Sequence, residues 1–86
     1  MVTVLLTAAL RPFAGGAAQV EASGATLREV ITDLEQRYPA LAGHLVDDAG
    51  VRSEIFLAIN SEEAFGLDQA VPEGAEVHIL AAMAGG

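Results

Sequence analysis

At 86 residues and a formal net charge of −8, the chain has room for one domain built on one hydrophobic core. Hydrophobic residues make up 52% and charged residues 19%, a balance that supports a packed core and excludes a disordered acidic tail. Cysteine is absent and the 4 basic residues are all arginine, which excludes disulfides, thiolate metal sites, P-loop or Schiff-base lysines and a lysine acceptor for isopeptide bonds.

Residues 2–7 are apolar and β-branched and predict a first strand. Arg11-Pro12-Phe13-Ala14-Gly15-Gly16 then breaks the pattern, because proline cannot donate to a ladder and paired glycines accept positive φ. A second strand is expected over about 18–22. Thr26-Leu27-Arg28-Glu29 matches a capping box and opens a helix. Along that helix Leu27, Val30, Ile31, Leu34 and Tyr38 recur at helical spacing. Asp33 and Arg37 stand at i,i+4 in the favourable order, and Pro39 stops the helix at Tyr38. Leu41, His44 and Leu45 suggest one turn of a second helix, followed by a turn or loop over 47–50. The stretch 54–60 reads as a strand with two apolar faces, as suits a central position or an outer face that meets a partner. Asn60-Ser61-Glu62-Glu63 reads as a turn, with a short element around 65–67, a tight turn at 71–74 and a last strand over 76–80. Two opening strands, a crossover helix and further strands give an α+β fold: a mixed sheet with one main helix packed on one face, for which the β-grasp is the economical topology. Residues 1–80 form that domain and 81–86 a flexible C-terminal tail ending in Gly-Gly.

The N-terminus lacks a basic segment, and charge or proline interrupts every apolar stretch before the ~20 residues that span a bilayer. A cytoplasmic location and no membrane association are expected. Net acidity argues against nucleic acid and for partners with basic surfaces.

The tail Ala81-Ala82-Met83-Ala84-Gly85-Gly86 carries no charged side chain and no bulk beyond Met83. Such a segment is thin enough to thread a narrow channel, and a terminal glycine carboxylate meets a reactive phosphate without a Cβ in the way. The bland alternative is a frayed end with an Ala/Gly bias.

The run 68–80 closing on Ala84-Gly85-Gly86, with Leu10-Arg11-Pro12, Gly15-Gly16 and Ser23-Gly24-Ala25-Thr26-Leu27 upstream, resembles the ubiquitin-like sulfur carriers. These are the MoaD and ThiS proteins, and the likeness is greatest to the CysO-type members. It covers nearly the whole chain. Its motifs are individually weak and specific in their order and distance from the terminus. In many relatives aspartate stands at the place of Ala75 and proline at that of Ala81. Where ubiquitin has arginines before its terminal glycines, this chain has Ala82 and Ala84. That departure and the lack of lysine point to sulfur transfer rather than protein conjugation.

The resemblance implies that Gly86 is the reacting residue. An adenylyltransferase of the MoeB/ThiF type would spend ATP to make its carboxylate an acyl-adenylate. Sulfide or a rhodanese-type persulfide would leave a thiocarboxylate, and a sulfur-accepting synthase would take the sulfur. Cysteine synthesis is the favoured destination, with molybdopterin, thiamin, tRNA thiolation or a sulfur-containing natural product open. The chain would itself be a co-substrate, monomeric when free, binding no cofactor and no metal. The competing reading is a β-grasp modifier or interaction module joined through Gly86 to lysines of other proteins.

Gly85, Ala84, Met83, Leu80, His78, Phe56 and Arg11 are the expected partner-binding residues. Alternation along the last strand turns His78 and Leu80 away from Val77. An outward Leu80 near Phe56 is either edge-of-core packing or a docking patch, and the resemblance favours docking. Arg11 faces a partner or makes a local salt bridge. His44 and His78 lie in no metal-binding motif. Gly15-Gly16, with no lysine or strand–loop–helix setting, is a turn; Asp47-Asp48 and Glu62-Glu63 lack calcium-loop spacing and are solvated charge.

Overall fold

The computed structural model describes residues 1–48, 50–64 and 66–81. Strand β1 (Val2–Leu6) pairs antiparallel with β2 (Gln19–Ala22), and the break between them is a 3-10 helix, Arg11–Ala14, capped by Gly15 at φ 68°. Helix α1 (Leu27–Arg37) follows, then a 3-10 turn, Pro39–Leu41. A small hairpin pairs β3 (Val46–Asp47) with β4 (Gly50–Val51). Strands β5 (Ile55–Ile59), β6 (Glu62–Ala64) and β7 (Glu76–Ala81) complete a five-stranded sheet of order β2-β1-β7-β5-β6. The central pair β1–β7 is parallel and the other pairs antiparallel, so the expected mixed sheet with one main helix forms.

The helix is set locally. Thr26 caps it in extended geometry and its Oγ1 accepts the Glu29 N–H at 3.3 Å. Glu29 returns its carboxylate to the Ala25 N–H at 2.9 Å, one residue short of the cap residue that a standard capping box serves. Pro39 bars helical geometry at Tyr38, whose ψ is 80°. Leu27, Val30, Ile31 and Leu34 are buried, and they meet Val4, Val77 and Ile79 of the central strands in one core. At about 1.5–3 kcal/mol for each fully buried large aliphatic, this stripe is the helix's main contribution to stability. Gly24 lets the β2–α1 connection cross the helix start. A Cβ there would stand 2.6 Å from the Val30 nitrogen and 2.8 Å from the Glu29 carbonyl carbon.

Three expectations are corrected. Leu41 and Leu45 are buried, but on a 3-10 turn and the approach to a hairpin rather than on a second helix. The polar stretch after β5 is not all turn. Asn60 (φ 51°) and Ser61 (φ 73°) form a two-residue hairpin loop, and Glu62–Ala64 continues as an edge strand. Asn60 is fixed to β7 twice, donating its N–H to the Glu76 carbonyl at 2.8 Å and accepting the Glu76 N–H on Oδ1 at 2.9 Å. Third, β7 runs to Ala81, one residue past its expected end. The short element expected around 65–67 falls partly outside the described residues, at Phe65. No described helix is long and apolar enough to cross a membrane.

Candidate functional site

Alternation sorts the sheet into two faces. Val2, Val4 and Leu6 of β1, Val77 and Ile79 of β7, and Ile55, Leu57 and Ile59 of β5 are buried towards the helix. Their sequence neighbours face away. Cross-strand pairing aligns these into a row: Gln19 beside Leu5, Leu5 beside His78, His78 beside Ala58, and Ala58 beside Glu63. One step towards the C-terminal end of β7, Leu80 pairs directly with Phe56. Phe56 is 48% exposed and Leu80 42%, two of the three large hydrophobic residues so exposed among the described ones. Each has half its burial still to gain, and their adjacency makes one apolar patch instead of two scattered contacts.

Acidic side chains lie beyond one side of the patch. Glu21 and Glu76 flank Thr3 in the next row, and Glu63 ends the Leu5 row. His78 Nε2 lies 3.7 Å from Glu76 Oε1. Beside Phe56 a cavity of about 280 Å³ opens between Ile55, Ala64, Ser53 and Arg52. Arg52 Nε donates to Glu54 Oε2 at 2.9 Å, and that hydrogen bond holds the Glu54 carboxyl below its usual range. An apolar patch with acidic side chains on the same sheet face suits a partner offering apolar side chains beside basic ones. Leu5, Ala58, Phe56 and Leu80 give this face an apolar contact surface, with His78 among them. Among the described residues no group of three His, Cys, Asp or Glu side chains is placed to hold a metal ion.

The structure thus brings three of the expected residues, Phe56, His78 and Leu80, onto one face. Arg11 lies off the sheet, on the 3-10 helix after β1, and its Nε donates to the Leu6 carbonyl at 3.0 Å. That bond ties the loop to the strand it leaves, and its acceptor is a carbonyl where a salt bridge needs a carboxylate. His44 stacks on Phe13 with ring centroids 4.0 Å apart. Met83, Ala84, Gly85 and Gly86 lie outside the described residues. Sequence reasoning did not single out Leu5 and Ala58. Leu5 sits in a run that is apolar on both faces, and only its place two residues after Thr3, out of step with Val4, marks it as outward.

The chain matches the ThiS family over residues 4–86. It is 38% identical to the sulfur carrier protein CysO of Mycobacterium bovis, over 99% of this chain and 98% of that protein. Its fold superposes on the Amycolatopsis orientalis BexX/CysO complex structure with a TM-score of 0.92, at 37% identity and with 100% of both chains covered. Small archaeal modifier protein 1 of Methanosarcina acetivorans gives a TM-score of 0.84 at 28% identity, with 99% of this chain and 95% of that one covered. These likenesses make the fold a ubiquitin-like β-grasp, as its helix-on-sheet order suggested. The chain belongs to the ThiS family.

Proposed function

We propose that this protein is a sulfur carrier, loaded at the Gly86 carboxylate and docked on its partners through the Phe56–Leu80 face. The observation that carries the reading is the family match that continues to residue 86, together with 38% identity along almost the full length of a protein named as a sulfur carrier. In this reading a cytoplasmic adenylyltransferase of the MoeB/ThiF type binds the monomeric carrier and ATP. A Gly86 carboxylate oxygen attacks the α-phosphorus, pyrophosphate leaves, and the poor carboxylate electrophile becomes a mixed anhydride. Sulfide attacks the activated carbonyl and AMP departs, leaving a thiocarboxylate. A rhodanese-type persulfide serves instead when a thiol reductant then cleaves the sulfur–sulfur bond. A sulfur-accepting synthase takes the sulfur and returns the carboxylate.

The division of labour fits what the chain offers. It has no cysteine or lysine to intercept its own activated end. Its outer sheet face supplies apolar contact area at Phe56 and Leu80. The CysO relative solved with BexX supports a partner-engaging role, and the CysO likeness favours cysteine synthesis as the destination of the sulfur.

The test is intact-mass measurement after incubation with ATP, an adenylyltransferase of this type and sulfide. Replacement of one oxygen by sulfur, confined to a C-terminal fragment, is the expected result. The likeness to a small archaeal modifier protein supports a second reading, in which Gly86 forms an amide with a lysine of another protein. Higher-mass adducts in place of the sulfur-for-oxygen exchange would decide for it.

A further inference from the structure

We propose that Thr7 is a positioning residue that fixes where the reactive tail leaves the fold; this rests on the carrier reading above. Strand β1 ends at Leu6, paired with Ile79. In a parallel ladder the next residue gives its N–H to the carbonyl of Ile79 and takes the N–H of Ala81 on its own carbonyl. Thr7 does the first, donating to the Ile79 carbonyl at 3.3 Å. Its carbonyl is committed elsewhere, accepting the Leu10 N–H at 2.9 Å in the turn that leads into the 3-10 helix. The hydroxyl takes over: Thr7 Oγ1 accepts the Ala81 N–H at 3.3 Å. A side chain thereby adds one rung after the backbone of β1 has turned away.

That rung lies at the root of the tail. Ala81 is the last residue of β7 and pairs with Ile55 on its other side, so Thr7 closes the second flank of the strand end. Residues 82–86 follow. Without the hydroxyl the Ala81 amide loses its acceptor in a half-buried position, and the end of β7 is held on its Ile55 flank alone. An unpinned Ala81 adds one backbone residue to be ordered when the chain end reaches its site, a cost of about fivefold in rate. Serine keeps the acceptor, whereas valine keeps the shape and removes it.

The experiment compares the full chain with Thr7→Val and Thr7→Ser. Amide exchange at Ala81, followed by NMR, is expected to quicken about threefold to tenfold in Thr7→Val, the loss of one net hydrogen bond, with Val4 and Ile79 amides unchanged. With a MoeB-type adenylyltransferase, ATP and sulfide, kcat for Thr7→Val should fall about fivefold while KM for the carrier moves by less than about twofold. Thr7→Ser should restore both readouts. An Ala81 amide that exchanges at the same rate in Thr7→Val, a Thr7→Val chain that loads at the wild-type kcat, or a loss that serine fails to restore overturns the assignment. A wild-type chain that is never loaded sinks the carrier reading and the positioning role together, and the exchange comparison then still reports whether the rung exists.

Discussion

Truncating Phe56 and Leu80 separates docking from stability. The two side chains are cross-strand partners, 48% and 42% exposed in the free fold. Fully burying such a side chain is worth about 1.5–3 kcal/mol, so each retains about 1 kcal/mol to gain when a partner covers it. Replacing both by alanine should weaken binding to the adenylyltransferase by about 1.5–2.5 kcal/mol, or about 10- to 70-fold in Kd. The half already buried also counts, and each substitution should lower Tm by a few degrees in a domain this small. Isothermal titration with the enzyme and thermal melts of the free carrier give the two numbers independently. Ile31→Val is the control: it trims a core residue 3% exposed, costs about 0.5–1.5 kcal/mol of stability and touches nothing on the outer face. The control should melt lower and bind like wild type. If the Phe56→Ala/Leu80→Ala chain binds within twofold of wild type, or if Ile31→Val weakens binding as much, the face is only packing and the docking argument fails.

Deleting Gly86, or adding one residue after it, should abolish sulfur loading with the melt unchanged; loading of either variant, read by intact mass, contradicts the terminal chemistry. Gly24→Ala pushes a Cβ to 2.6 Å from a helix backbone nitrogen and should destabilise the fold by about 1–3 kcal/mol in urea titration. The Asp33 carboxyl accepts the Ser23 N–H and the Arg37 guanidinium, and these hydrogen bonds, the backbone one first, hold its pKa below the usual value. A depressed folded pKa stabilises above the unfolded value and stops doing so as pH falls through the folded one. Wild type should therefore outmelt Asp33→Asn at neutral pH, with the gap closing below about pH 4. A gap that persists in strong acid would mean the contact is not ionic.

Much of the architecture was legible along the chain because it rests on short-range rules. Thr26, the stripe Leu27 to Leu34 and Pro39 each act within a few residues, so the helix formed where its pattern placed it. The edge strand Glu62–Ala64 was missed for the opposite reason. Its composition is that of a loop, and it is a strand only because Asn60 and Ser61 turn it back onto β5 while Asn60 is locked to Glu76. Arg11 could be singled out in sequence, yet its bond to the Leu6 carbonyl depends on how the 3-10 helix folds back on the strand.

By itself the sequence determined one small α+β domain with a capped helix, a chain without cysteine or lysine, and a last segment without charged side chains. Tertiary structure alone decided which outward side chains meet. Phe56 and Leu80 become neighbours through the antiparallel β5–β7 register, Leu5 joins His78 through the parallel β1–β7 register, and Thr7 reaches Ala81 across a separation of 74 residues. Hydrophobic period and caps report what a residue does to its own turn or strand. Pairing across a sheet is set by the packing of the whole core, which fixes every register at once.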